Sequence, residues 1–235
     1  MTTEAVKMDA KSGGFRLKTR LLLAFLAVAL LAGITGAFGV YYSSSIGTAG
    51  HEVGAELAPL GDAAMEIKLT ATTAHLIFEE IMGGDASEDI SVVWELLGET
   101  VWYCDAILKG GENDEGHFVA SRDPAVLSKM EAVKASVLAF TASAKERHAG
   151  LGKEGVDQAG ADARFDEEFE SFIAQADEAE SLIHDDMDRG LQHLEDQRRR
   201  TVFVMVAISL VAVATAVLLG FFIAMRITSP LKDAP

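Results

Sequence analysis

The sequence predicts an all-α protein: an antiparallel four-helix bundle whose outer helices continue into two transmembrane helices. Three observations lead there. Two uncharged apolar blocks, residues 21–42 and 201–225, lie near opposite ends of the 235-residue chain. As helices they would run about 33 and 37 Å at ~1.5 Å per residue, enough to cross a hydrocarbon core of roughly 30 Å. Between them, apolar residues recur at three- and four-residue steps in four stretches, the period of one helix face. Breaker clusters separate these stretches, and strand-like alternation is absent.

Residues 1–20 form a basic tail. Lys7, Lys11, Arg16, Lys18 and Arg20 are opposed only by Glu4 and Asp9, which predicts a cytoplasmic N-terminus. A cleaved signal peptide is the alternative for block 21–42. The block is longer than the usual 7–15-residue apolar core, and no A-x-A site follows it, so an uncleaved helix is expected. Within it Ala29, Gly33 and Ala37, with Ala32 and Gly36, have the small-xxx-small spacing that permits close helix approach. Ordinary membrane-helix composition explains the same residues; the functional reading is a homodimer.

Two spans return the C-terminus to the cytoplasmic side and place residues 43–200 outside, in the periplasm of a Gram-negative cell. The first outer helix runs on from the membrane to Met82, with Leu60, Ala64, Ile67, Ala71, Ala74, Phe78 and Ile81 on one face, and stops at Gly83-Gly84-Asp85. The second covers 88–109 with the stripe Ile90, Val93, Leu97, Val101, Cys104 and Leu108, and GGENDEG (110–116) reads as a loop. Asp123 as N-cap and Pro124 at the first helical position open the third. Its stripe is Met130, Val133, Val137 and Phe140, and it ends near Ala149 and Gly150. After a Gly-rich connection to Gly160, Asp162 is the expected cap of the fourth. Its stripe is Phe165, Phe169, Phe172, Ala176, Ala179 and Ile183, and it continues into block 201–225. Short connections imply antiparallel neighbours. Arg198, Arg199 and Arg200 stand at the outer mouth of the second block, against the charge rule. Long translocated segments escape that rule, and these arginines can meet lipid phosphates by snorkelling.

The outer segment carries 33 of the chain's 36 acidic residues but 13 of its 20 Lys and Arg. Nucleic acid is excluded as a partner, because phosphate contacts need a basic face. The acidity is a solvating coat or an attraction for cationic ligands. Cys104 is the only cysteine, so no disulfide forms within the chain, and on the apolar stripe it reads as an inert buried thiol.

His75 and Glu79 are four residues apart on one helical face. That spacing makes either an i,i+4 ion pair or two ligands of a metal, and zinc needs at least a third. Counting down from the 83–84 turn, Met82 faces Asp89, His75 lies level with Leu96, and Ile67 with Cys104. Trp102, Tyr103, Cys104 and Asp105 then sit two turns away from His75, which weakens a direct His75–Cys104 site. Trp94, Trp102 and Tyr103 line a ligand pocket between helices or pack a core or dimer interface. His117, among Glu112, Asp114 and Glu115, does not match the EF-hand spacing and reads as part of a solvated loop. No catalytic constellation, phosphate loop or C-x-x-C-H haem attachment is present, so an enzyme is not expected. No cofactor is expected either, with a metal ion or haem at His75, Glu79, Cys104 and His117 as the rival reading.

Basic tail, span, acidic helical segment, span, and then R-I-T-S-P-L resembles the N-terminal part of a bacterial methyl-accepting chemotaxis protein. In that family a short I-T-x-P-L segment after the second span opens the HAMP relay, and Ile227, Thr228, Pro230 and Leu231 match it, with Arg226 at the membrane boundary. AHLIFEEIMGGD (74–85) and WYCDAILKGG (102–111) are similar to segments of one sensor subfamily. The resemblance implies an inner-membrane chemoreceptor input, a signal transducer that is homodimeric and in contact with lipid. Residues 43–200 would bind a periplasmic small molecule or ion; the resemblance assigns no ligand residues, and the candidates read from the residues themselves are His75, Glu79, Trp94, Trp102, Tyr103 and Asp105. Residues 226–235 would start the HAMP linker, the chain being truncated there. The methylation helices and kinase-contacting hairpin of the family do not follow, so a downstream kinase would be reached only through a longer chain or a partner. The same input architecture also serves histidine kinases and diguanylate cyclases.

Overall fold

A computed structural model describes residues 3–228 except 86 and 156, with side chains for 19 and for 21–225 outside those two positions. The described residues are dominated by helices packed on one another: α1 (Thr3–His51), a π-helical turn η1 (Glu52–Leu57), α2 (Ala58–Met82), α3 (Ile90–Lys109), α4 (Pro124–Gly150) and α5 (Gln158–Thr228). The chain divides into two compact units, residues 1–48 with 195–235, and residues 49–194.

Among the described residues, α1 and α5 are the two helices that hold a stretch long and apolar enough to cross a membrane, and both stretches lie in the first unit. Their apolar side chains face outward: Leu22, Phe25, Leu30 and Val40 on α1, and Phe203, Leu210, Val217 and Leu218 on α5, are more than half exposed. A helix that is apolar all round suits a lipid surround. Gly39 takes part in the contact between the two helices, since a Cβ there would lie 3.5 Å from the Met205 methyl.

The second unit has one continuous core. α2 contributes Leu60, Ala64, Ile67, Ala71, Ala74 and Phe78; α3 contributes Val93, Leu97, Tyr103, Cys104 and Ile107; α4 contributes Met130, Val133, Val137 and Phe140; α5 contributes Phe165, Phe172, Ala176, Ala179 and Ile183. Burial of these stripes is the main force holding the unit together. The Thr70 and Thr100 hydroxyls meet at 2.8 Å and set the α2–α3 register. A count from the 83–84 turn places Thr70 level with residue 101, one position from the partner observed. Cross-helix ion pairs border the core: Lys68 with Asp177 and Glu180, Lys129 with Glu178, and Lys134 with Asp105.

Helix ends follow local chemistry. Asp123 caps α4 by accepting from the Ala125 N–H at 2.7 Å, with Pro124 in the first turn. Asp89 caps α3 through the Ser91 N–H at 2.8 Å. The expected cap of the fourth outer helix is corrected: α5 begins at Gln158, and Asp157 accepts from the Gly160 N–H at 3.0 Å. Asp162 is left inside the first turns, free to pair across helices. The 110–116 loop is also corrected. Gly111–Asn113 and Gly116–Phe118 pair as an antiparallel hairpin, with Glu112 opposite His117. Asn113 closes it by accepting from the Glu115 and Gly116 N–H groups. Gly110 adopts φ +79°, and a Cβ there would lie 3.0 Å from the Phe118 carbonyl oxygen, so only glycine fits that turn. The π turn had no sequence expectation. Val53 and Leu57 pack against Gly190 of α5, where a Cβ would meet each at 3.1 Å.

Candidate functional site

At the end of residues 49–194 that carries the α2–α3 and α4–α5 turns, α2, α4 and α5 converge on a cluster of aromatic and charged groups. Phe78, Phe140 and Phe165 are fully buried, with Phe165 centred 4.7 Å from Phe78 and 4.9 Å from Phe140. The His75 imidazole lies nearly parallel to Phe169 at 4.0 Å and to Phe165 at 5.2 Å between ring centres. Burial against these rings penalises the imidazolium and holds the His75 pKa below its ordinary value, although Glu79 and Asp166 pull the other way. The ring is therefore neutral near pH 7, with a lone pair available.

Glu79 does not ion-pair with His75. Its carboxylate takes a two-pronged contact from Arg147, which also pairs with Asp162. Arg147 occupies the last turn of α4 and is nearly buried, with its guanidinium carbon 5.0 Å from the Phe165 ring centre and 5.5 Å from that of Phe78. A two-pronged guanidinium contact of this kind fixes direction as well as charge. Asp166, one residue past Phe165, completes the group. One ligand atom each from His75, Glu79 and Asp166 lie within 4.8 Å of one another. Asp166 is exposed and makes no hydrogen bond or ion pair among the described residues. Beside the cluster, Met82, Arg147, Leu151, Lys153, Gln158 and Asp162 line an open cleft of about 490 Å³.

The remaining candidates are distributed along α3. Trp94 belongs to the same end as His75: its ring is 6.3 Å from Phe78 and edge-on to His148 at 6.1 Å, with the Lys145 ammonium 5.5 Å away. Trp102 and Tyr103 lie about 12 Å further along the helix axis and join Phe118 of the hairpin in an edge-to-face group at 5.1–6.1 Å. The three rings therefore do not line a single pocket. Tyr103 is fully buried and donates to Glu115 at 2.6 Å. Burial and this bond to a carboxylate push its pKa far up. Asp105 is held below the usual carboxylate range by its bonds to Lys109 and Lys134. Cys104 is buried, its pKa pushed up to about 12 by burial, so it is a neutral thiol. Exposed His117 borders a separate cleft of about 360 Å³ with Asp62, Glu66 and Glu115. Arg226, Ile227 and Thr228 continue the α5 backbone, while Pro230 and Leu231 lie outside the described residues.

Two members of the cluster had no sequence expectation. Arg147 continues the α4 core stripe of Met130, Val133, Val137, Phe140 and Ala144 at the next three-residue step. A cation on a core stripe announces carboxylate partners on neighbouring helices. Asp166 gave no such signal, because it is one acidic residue among many on α5. No family model, curated protein or solved structure matches this chain.

Proposed function

We propose that the chain is the input module of a transmembrane receptor of the chemotaxis-transducer type. In this reading residues 43–200 form a periplasmic four-helix bundle, and residues 21–42 and 201–225 span the bacterial inner membrane. Both termini are cytoplasmic, the receptor is a homodimer, and residues 226–235 begin a HAMP linker. Binding of a small molecule or ion in the bundle displaces the second span, as packed helices carry rigid-body shifts. The observation that carries the reading is α5. This one helix, Gln158–Thr228, supplies Phe165, Phe172 and Ile183 to the packed core and also contains the apolar stretch 201–225. The I-T-S-P-L match directly after that stretch gives the reading its receptor class.

Thiol labelling in intact cells tests the topology. Cys104 is buried and stays silent, so single cysteines report alone. Ser87→Cys and Glu154→Cys should react with a membrane-impermeant maleimide before lysis, and Ser12→Cys only after it. Labelling of Ser12→Cys in intact cells, with the other two protected, would overturn the reading.

A further inference from the structure

We propose that His75, Glu79 and Asp166 form a binding site for a divalent transition cation of the zinc class, bridging α2 and α5. The donor set is one imidazole nitrogen and two carboxylates, a combination suited to zinc and its neighbours rather than to calcium or magnesium, which take oxygen alone. His75 and Glu79 share one face of α2 at i,i+4, and Asp166 comes from the facing helix, the way metal sites are built between helices of a bundle. The three ligand atoms lie within 4.8 Å of one another. Zinc–ligand bonds of about 2.0–2.2 Å place the donors of one tetrahedral ion about 3.4 Å apart. A closure of up to about 1.4 Å is therefore enough to seat the ion, and the exposed Asp166 side leaves a coordination position for water.

Charge favours this occupant. Glu79, Asp162 and Asp166 bring three carboxylates to the cluster, and Arg147 pairs with two of them, leaving Asp166 without a cation of its own. Arg147 is also the competitor, because it grips Glu79. A metal ion that takes Glu79 leaves Arg147 its second partner, Asp162, so no buried guanidinium is stranded. Loading the site exchanges an α2–α4 ion pair for an α2–α5 metal bridge and draws α5 toward α2. That this exchange is the stimulus of the receptor rests on the proposed function; the site itself does not.

The test uses the full chain in lipid nanodiscs, titrated with Co²⁺ and followed by ligand-field absorption. The expected result is saturation at one Co²⁺ per chain, with the bands removed by Zn²⁺. Asp166→Asn changes only an exposed side chain and should weaken binding at least about tenfold, since even outer-shell changes cost that much. His75→Gln should do the same, with circular dichroism confirming its helix content. Glu80→Gln, one residue from Glu79 and exposed, should bind like the parent. Absence of the bands in the parent, Asp166→Asn binding with parental affinity, or an equal loss in Glu80→Gln would each overturn the site. Thiol labelling on the same protein separates the two proposals. Bound Co²⁺ with the wrong topology removes the receptor and leaves the site, whereas correct topology without Co²⁺ removes only the site.

Discussion

His75 and Tyr103 each insert a polar ring into the core of residues 49–194, and the two ends of that core treat them differently. At the Tyr103 end the polar groups are paired, the hydroxyl locally and Asp105 both within α3 and across to α4. The hydroxyl donates to Glu115 only twelve residues on, and Asn113, on the same hairpin, donates to the hydroxyl at 3.4 Å. Asp105 is bonded to Lys109 and Lys134. At the His75 end the pairing runs between helices and is incomplete. Arg147 of α4 holds Glu79 of α2 and Asp162 of α5, while Asp166 has no partner among the described residues. A closed set of hydrogen bonds makes a frame; an open one, shared among three helices, leaves capacity for a ligand.

The comparison is tested first through the aromatic packing under the His75 end. Phe165→Ala removes a ring that touches Phe78, Phe140 and His75, and should cost about 3–5 kcal/mol of stability, read as a large fall in the thermal midpoint by circular dichroism in detergent. Arg147→Met should cost about 2 kcal/mol, less than breaking a fully buried pair, because Glu79 and Asp162 are partly exposed and regain water. A neutral effect would mean that the guanidinium network carries no load. Tyr103→Phe should cost about 1.5 kcal/mol through loss of a bond to a carboxylate, with faster amide exchange confined to the 111–118 hairpin. Spread of that loosening to α2 would break the contrast between a local and a shared network.

Glu66 gives the smallest expected effect. Burial, then Glu115, Glu99 and Asp62, raise its pKa. A carboxyl whose pKa is raised by folding costs stability above that value and none below the unfolded one. Glu66→Gln should therefore stabilise by a few tenths of a kcal/mol at pH 7, and the gain should shrink as the pH falls through the raised value. A gain that grows on acidification would contradict the cause.

The helices were legible because three- and four-residue apolar spacing is a strong, redundant signal. The stripes read from the sequence supply most of the buried core, and the Met82–Asp89 count came within one residue of the Thr70–Thr100 contact. The Asp123 and Pro124 start was legible because a cap acts within one turn. Asp162 misled: it has the chemistry of a cap, but Asp157 lies nearer the connection, and cap choice depends on where the chain turns. The 111–118 hairpin escaped because its strands are three residues each, too short to show alternation. Two of the three donors of the candidate site could be read, since His75 and Glu79 lie on one helix. Asp166 joins them from 87 residues away through packing alone, and no local pattern encodes that.

Hydrogen exchange of the full chain in nanodiscs, with and without Zn²⁺, tests the central contrast most directly. The account predicts added protection in 72–82 and 160–170, where the shared network takes up the ion, with the 103–118 segment unchanged. Protection that appears in 103–118 and spares 72–82 would contradict it.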